Sequence, residues 1–258
     1  AVLDDQAGGG GAGGLGGALY INAPGGSVLV DNMVFRDNVA QGGRGGNAST
    51  TVTDVGPTGT FSGVNGIRGA GPNGGVGGTS GSVTGGFGGF ASGGGSGYGG
   101  APNGSGNGGP GGEFGGGGGG GRGDNAYNGS PGGAGGFLGG DGSYAYSGRA
   151  GSGGGGAGVG GAIALVYDGY LAVRNTTFEN NAATGGASGL DGFGDPDPSG
   201  AGLGKGGAVF VYGGELSLGV FSDMDATGAP TGFPLATRND FVAAGNSFSA
   251  NQASDPAA

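Results

Sequence analysis

The chain has 258 residues, of which 83 are glycine, and it carries a formal net charge of −10 with a sequence pI near 4.1. Glycine does not recur at every third position, which excludes collagen. The absence of Cys and His removes disulfides, thiol nucleophiles, the commonest general base and the commonest transition-metal ligands. An acidic chain of this kind repels phosphate backbones, so we expect no nucleic-acid partner. No apolar run reaches the length of a membrane span, so we expect no membrane insertion.

Glycine is unevenly distributed, and this divides the chain into parts of different character. Residues 42–159 are the richest in glycine, whereas the flanking parts contain a recurring pattern. We therefore divide the chain into a first coil (1–41), a glycine-rich excursion (42–159), a second coil (160–184), an Asp/Gly/Pro loop (185–205) and a third coil (206–258) with an inserted loop (219–240).

The recurring pattern opens with Gly-Gly-Ala and closes with Phe-x-x-Asn-x-Ala. Each copy holds two short runs of alternating apolar residues, bounded by Gly, Pro, Asn or Asp and too close together for an intervening helix. The runs are predicted to be strands with one buried face. The three copies span Gly16 to Ala40, Gly160 to Ala183, and Gly206 to Ala253.

A unit of about 22 residues without a helix cannot bury its apolar face alone, whereas stacked units form a continuous core. The pattern therefore predicts an all-β fold, a right-handed parallel β-helix of about three coils. Stacking places equivalent residues above one another. We expect amide and aromatic ladders, formed by Asn38, Asn181 and Asn251; by Asn32 and Asn175; and by Phe35, Phe178 and Phe248.

These motifs resemble the repeat of the chlamydial polymorphic outer-membrane proteins and, more widely, the passengers of autotransporter-type and glycine-rich bacterial surface adhesins. The resemblance covers the three copies, which make up less than half of the chain. It implies coils of a right-handed β-helix that is displayed outside the cell and used in adhesion. It therefore implies an extracellular or cell-surface location.

The glycine-rich excursion has two interpretations. It is a flexible loop, because glycine has the greatest backbone entropy, or it is a set of packed helices of the polyproline-II type, because its Gly-Gly-x triplets keep a three-residue step. Its aromatic residues can either anchor ordered packing or contact other subunits. They are Phe61, Phe87, Phe90, Tyr98, Phe114, Tyr127, Phe137, Tyr144 and Tyr146.

Residues with side chains suited to chemistry are few. Asp191, Asp195 and Asp197 form a candidate Ca²⁺ site, but their spacing fits neither the EF-hand loop nor the tandem Gly-Gly-x-Gly-x-Asp calcium repeat, so a solvated Asp-Pro turn is favoured. Asp223 and Asp225 form a carboxylate pair without a basic partner. We therefore predict no catalytic residues, no cofactor and no enzymatic activity.

The pattern contains no segment that would cap either end of the three coils. Uncapped strand edges pair with other chains, so we expect copies to stack end to end into a fibre or surface structure. Three alternatives remain open. They are an adhesin fragment that binds a glycan or host-cell receptor, an ice-binding surface, and a polysaccharide-cleaving enzyme.

Overall fold

The computed structural model describes residues 7–48, 68–79, 84–98, 106–122, 129–146, 149–197, 200–217 and 245–256. Their regular elements are short strands, and this part of the chain contains no α-helix. The strands are β1 (Gly14–Leu15), β2 (Leu19–Asn22), β3 (Ser27–Asp31), β4 (Val34–Arg36), β5 (Val39–Gln41), β6 (Gly158–Val159), β7 (Ile163–Val166), β8 (Tyr170–Arg174), β9 (Thr177–Glu179), β10 (Ala182–Thr184), β11 (Gly204–Lys205), β12 (Val209–Tyr212), β13 (Glu215–Ser217), β14 (Ser247–Ser249) and β15 (Gln252–Ser254).

The strands form three-stranded parallel sheets, and each sheet takes one strand from each copy of the sequence pattern. The sheet orders are β1-β6-β11, β2-β7-β12, β3-β8-β13, β4-β9-β14 and β5-β10-β15. Coil one is thus β1 to β5, coil two is β6 to β10, and coil three is β11 to β15. Coil two lies between the other two. The all-β class and the stacked, solenoid-like arrangement of parallel strands are confirmed.

The core of the stack is centred on coil two. Ile163, Leu165, Leu171, Val173 and Phe178 are all fully buried. They alternate with outward-facing residues along β7 and β8, as the two-residue period of a strand requires. Equivalent apolar residues of coils one and three cover this layer from either side.

The Gly-Gly-Ala motif forms the same corner in every coil. Its first glycine has a left-handed backbone in each copy, with φ of +61° at Gly16, +64° at Gly160 and +66° at Gly206. This conformation is costly for residues with a Cβ. At the second glycine a Cβ would collide with a neighbouring backbone: that of Gly161 for Gly17, and that of Gly207 for Gly161. The motif therefore provides both the turn and the close approach of successive coils.

The glycine-rich segments are ordered, and they bond to one another at a three-residue step. The N–H groups of Gly8, Gly11 and Gly14 donate to the carbonyls of Gly151, Gly154 and Ala157. Three residues per turn without bonds inside the segment is the hydrogen-bonding pattern of a polyproline-II-type helix. Residues before coil one, after coil two and before coil three join this packing, so it extends beyond residues 42–159.

We call these segments together the glycine array. Segment 150–157 lies at its centre and bonds to six surrounding segments: 7–13, 42–48, 115–122, 139–145, 185–190 and 200–203. Segment 115–122 is enclosed in a similar way, and residues 114–122 and 150–159 are buried throughout. The remaining segments are 69–78, 85–89, 91–98, 106–112 and 129–136. The array is a hexagonally packed bundle whose interior is mainly backbone.

Buried side chains among the array segments are mostly small, as at Ser130 and Ser152, and surface segments direct their larger side chains outward. In segment 129–136 and the turn after it, Pro131, Ala134 and Phe137 are exposed at every third position. A Cβ on the intervening Gly133 would collide with the carbonyl oxygen of Gly109. With three residues per turn, every third residue of a segment points in the same direction. In this surface segment only one of the three directions leads to solvent, so only one position in three has room for a side chain.

The array continues directly into the coils. Segment 7–13 leads into β1, segment 150–157 into β6, and segment 200–203 into β11. Segment 42–48 follows β5, and segment 185–190 follows β10. Each coil therefore begins in a layer of the array, and the hydrogen bonds of the sheets and of the array form one network.

We predict that Gly133→Ala lowers the free energy of unfolding by about 2 kcal/mol or more, because overpacking a close-packed site typically costs about 1–3 kcal/mol. Ala134→Val is the matched control, since it enlarges the adjacent but exposed side chain and should change stability by less than about 0.5 kcal/mol. Chemical denaturation gives both values. Equal stabilities of the two variants would contradict the close packing.

Candidate assembly interface

The Asn residues of the closing motif form a ladder through the stack. The backbone N–H and the Nδ2 of Asn38 both donate to Oδ1 of Asn181, at 3.1 and 2.8 Å. The same two groups of Asn181 donate to Oδ1 of Asn251, at 3.1 and 2.8 Å. Asn181 is fully buried, so this position needs a side chain that donates and accepts at once.

The amides of coils two and three also reach the backbone of the coil before them. Nδ2 of Asn181 donates to the carbonyl of Phe35, and Nδ2 of Asn251 donates to the carbonyl of Phe178. The residue before each Asn turns the chain with a left-handed backbone, with φ of +57° at Asp37, +54° at Asn180 and +51° at Ala250. This corner is thus repeated in conformation and in hydrogen bonding.

The ladder has a direction, and its two ends are complementary. At coil one, Oδ1 of Asn38 accepts no hydrogen bond from the described residues. At coil three, the backbone N–H of Asn251 and one hydrogen of its Nδ2 have no acceptor there. One end of the stack therefore offers an acceptor, and the other end offers the two donors that such an acceptor binds elsewhere in the ladder.

The phenylalanines of the motif stack in the interior. The rings of Phe35 and Phe178 lie 5.1 Å apart at 8°, and those of Phe178 and Phe248 lie 4.6 Å apart at 13°. Phe178, in the middle coil, is 0% exposed. At the two ends of the stack, Phe35 is 9% exposed and Phe248 is 38% exposed. Beside Phe248 is an open hollow of about 430 Å³, whose apolar lining includes Ala208, Val209 and Leu216. The core is more exposed at coil three than at coil one.

The second predicted amide ladder differs from the expectation. Asn32 and Asn175 occupy equivalent left-handed corners, with φ of +54° and +47°, but Nδ2 of Asn175 donates to Asp31 rather than to Asn32. The adjacent position provides the connection between coils. There Thr176 Oγ1 accepts from the N–H of Met33, and Asn246 Oδ1 accepts from the N–H of Thr176.

Two ion pairs join coils one and two on the outer surface. Arg36 pairs with Glu179, and Arg174 pairs with Asp31, each at 2.7 Å. The hydrogen bond from Arg174 holds the pKa of Asp31 below its usual value. Exposed pairs of this kind contribute little to stability, and both join residues that the sheet register already places opposite each other.

The array docks on the outer face of the β2-β7-β12 sheet. Three tight turns of the array present Phe90, Phe114 and Phe137, and each turn has a residue with positive φ at its second central position, as type II turns require. Phe114 packs edge-to-face on Phe210 and Tyr212, with centroids 6.1 and 5.3 Å away. Thus some of the predicted aromatic anchors hold the array against the coils. Phe61 and Tyr127 lie outside the described residues.

A polar contact reinforces this docking. The hydroxyl of Tyr167 in coil two donates to Oε2 of Glu113 in the array at 2.9 Å. Burial raises the pKa of Tyr167 to about 12, and the hydrogen bond and negative charge of Glu113 act in the same direction. Burial also raises the pKa of Tyr170 to about 12.

Both ends of the stack make contacts that the sequence does not predict. On the coil-one side, segment 69–78 packs against 7–13 and 91–98, and the N–H of Ala70 donates to the carbonyl of Gly10 at 2.8 Å. On the coil-three side, the N–H of Gly204 donates to Oδ1 of Asp255 at 3.1 Å. The expectation that nothing covers the ends is therefore wrong where the coils meet the array.

The candidate calcium residues lie in a turn at the surface. Oδ1 of Asp191 accepts from the N–H groups of Phe193 and Asp195, so its carboxylate organises the turn. The described residues contain no group of three or more His, Cys, Asp or Glu side chains placed to hold a metal ion. The calcium site stays a prediction. Asp223 and Asp225 lie outside the described residues.

Comparisons of the chain with protein-family models, with curated proteins and with solved structures find no match. Across the described residues, no helix has the length and apolar character needed to cross a membrane.

We predict that Asn181→Ala lowers the free energy of unfolding by about 3 kcal/mol, because it leaves the N–H and Nδ2 of Asn38 and the carbonyl of Phe35 without their partner and removes one of the two bonds to Oδ1 of Asn251. Thr184→Ala is the control, since it removes only an exposed contact with Ser254 and should cost less than about 1 kcal/mol. Urea denaturation measures both. A loss below about 1 kcal/mol for Asn181→Ala would show that the ladder is not a structural element.

Alkaline pH should weaken the docked structure. Tyrosine has a pKa of 10.0 in the unfolded chain, but about 12 at Tyr167 and Tyr170 in the folded one. Between these pH values the unfolded chain binds fewer protons, so the free energy of unfolding falls as the pH rises from about 10 to about 12. Tyr167→Phe should make this fall shallower in denaturation curves recorded across that range. An unchanged slope would contradict the burial of Tyr167 beneath the array.

Proposed function

We propose that this protein is an extracellular structural and adhesive protein without chemistry of its own, and that its copies assemble end to end through the β-coils. The coils would form a right-handed parallel β-helix, because crossovers between parallel strands are right-handed in almost all known cases. The glycine array, attached to one side of the coils, would make each copy a stiff unit of a fibre or surface structure.

The ends of the Asn ladder carry this proposal. If coil three of one copy met coil one of the next at the spacing found inside the chain, the N–H and Nδ2 of Asn251 would donate to Oδ1 of the next copy's Asn38. Nδ2 of that Asn38 would reach the carbonyl of Phe248, as the equivalent groups do within the stack. The apolar hollow beside Phe248 would be covered by the same contact.

The backbone edges support the same arrangement. Gln252 donates its N–H to Asn181 in coil two. Because successive residues of a strand direct their N–H groups to opposite sides, the N–H of Ala253 faces the open edge of coil three. Unpaired edges of this kind pair readily with another chain. The acidic, lysine-poor composition, rich in Gly, Asn, Ser and Thr, is consistent with a location outside the cell.

Electron microscopy and light scattering of the purified chain, followed over time and concentration, test this proposal. We expect uniform filaments whose growth depends on concentration. Ala253→Pro should abolish filaments without unfolding the chain, because it removes an N–H at the open edge but no bond of the folded copy. Ala187→Pro is the matched control: Ala187 lies in array segment 185–190, away from the coil-three edge, and its N–H donates to no described residue, so its filaments should match those of the unsubstituted chain.

Persistent monomers at all concentrations would overturn end-to-end assembly. Filaments that form equally well with Ala253→Pro would overturn the assignment of the interface to the coil ends. In the first case an adhesin module that binds a glycan or a cell-surface receptor would become the better account, and saturable binding by the monomer would be sought.

A further inference from the structure

The array repeats one hydrogen bond between the layers that lead into successive coils. The N–H of Gly11, before coil one, donates to the carbonyl of Gly154, before coil two. The N–H of Gly155 then donates to the carbonyl of Gly200, before coil three. The register of β1, β6 and β11 pairs Gly14 with Gly158 and Gly158 with Gly204. Counting back three residues makes Gly11, Gly155 and Ala201 equivalent.

This equivalence identifies the bond that a stacked copy would make next. Each of these N–H groups donates to the residue that precedes its equivalent in the next layer. In a stacked copy, the N–H of Ala201 would therefore donate to the carbonyl of Gly10, the residue that precedes Gly11. The N–H of Ala201 donates to no described residue, so this donor is unused in the single chain. A stack that is continuous through the array therefore requires the carbonyl of Gly10 to be free.

In the single chain that carbonyl is occupied. Ala70 donates its N–H to Gly10 at 2.8 Å, and the carbonyl of Ala70 accepts from the N–H of Gly93 at 2.8 Å. Segment 69–78 bonds to 7–13, 85–89 and 91–98, but no bond joins it to 150–157. It therefore lies on the outer side of 7–13, in the position that segment 200–203 of a neighbouring copy would take.

From this coincidence of donor, acceptor and position, we infer that segment 69–78 is an intramolecular substitute for segment 200–203 of a second copy, and that it restrains assembly. This inference rests on the proposed end-to-end stacking. Full stacking is then an exchange in which the Gly10 carbonyl gives up Ala70 of its own chain and accepts Ala201 of the next. Because one bond replaces another, the restraint sets the concentration at which stacking begins.

Three proline variants of the full chain test the exchange, because proline removes a single N–H and fits the polyproline-II conformation. Ala70→Pro removes the bond to Gly10 and should lower the concentration at which filaments form about fivefold, the effect of one typical net hydrogen bond. Ala201→Pro removes the competing donor and should raise that concentration by a similar factor. Val76→Pro is the control in segment 69–78, since Val76 is exposed and its N–H bonds to no described residue.

Circular dichroism and thermal unfolding of each variant establish first that the monomer is folded. Filaments that form at a lower concentration with Ala70→Pro and at a higher concentration with Ala201→Pro support the exchange. Filaments of all four chains at the same concentration overturn the exchange and leave the proposed function intact. Absence of filaments in every folded chain overturns both.

Discussion

The absence of a Cβ where two backbones meet is the constraint on which this structure depends. At the centre of the array, a Cβ on Gly117 or Gly154 would collide with the carbonyl oxygen of a neighbouring segment. Glycine loses more conformational entropy on ordering than any other residue, and these segments bury few apolar side chains. The compensation is that buried N–H and carbonyl groups bond between segments, with typical N···O distances of 2.7–3.0 Å.

The β-coils and the array differ in how they fill their interiors and in where glycine is needed. In the coils, apolar side chains fill the interior, and glycine is needed only at the corners. In the array the interior is mainly backbone with small Ser and Ala side chains, and larger side chains lie at the surface or in the turns. The two parts are joined at each coil entry and held together by aromatic turns, with Phe114 fully buried between them. The long excursion does not interrupt the stacking of coils one and two. Its first segment, 42–48, continues from coil one, its last segment, 150–157, leads into coil two, and the two segments are hydrogen-bonded to each other.

The sequence predicts the coils well because their residues are specific to their positions. Gly-Gly-Ala and Phe-x-x-Asn recur at matched spacings, so their alignment predicts the sheets, the strand order and the stacking of Phe178 on Phe35. Asn246 follows the long insertion between β13 and β14, so its spacing in the sequence does not align it with the second corner. There its bond to Thr176 replaces the expected amide contact. The composition alone also leaves the order of the glycine segments open, since it is shared by flexible linkers.

The partners within the array, and the contacts at its ends, could not be predicted. Glycine segments are nearly identical to one another, so no side chain specifies which two lie together, and their register is determined by the turns and by the coils they enter. The backbone hydrogen bond from Ala70 to Gly10 joins two such segments, and no residue type or motif in the sequence indicates it. Asp255 is a single residue beyond the last repeat, and only the geometry relates it to Gly204.

The central claim is that the glycine array is a folded part of the protein, held by hydrogen bonds between segments. Amide hydrogen exchange measured by mass spectrometry on the monomeric chain tests this most directly. The account predicts that amides of 115–122 and 150–157 exchange as slowly as those of β7 and β8, because both sets are buried and bonded. Exchange of the array amides at the rate of an unstructured chain, alongside protected coils, would contradict it.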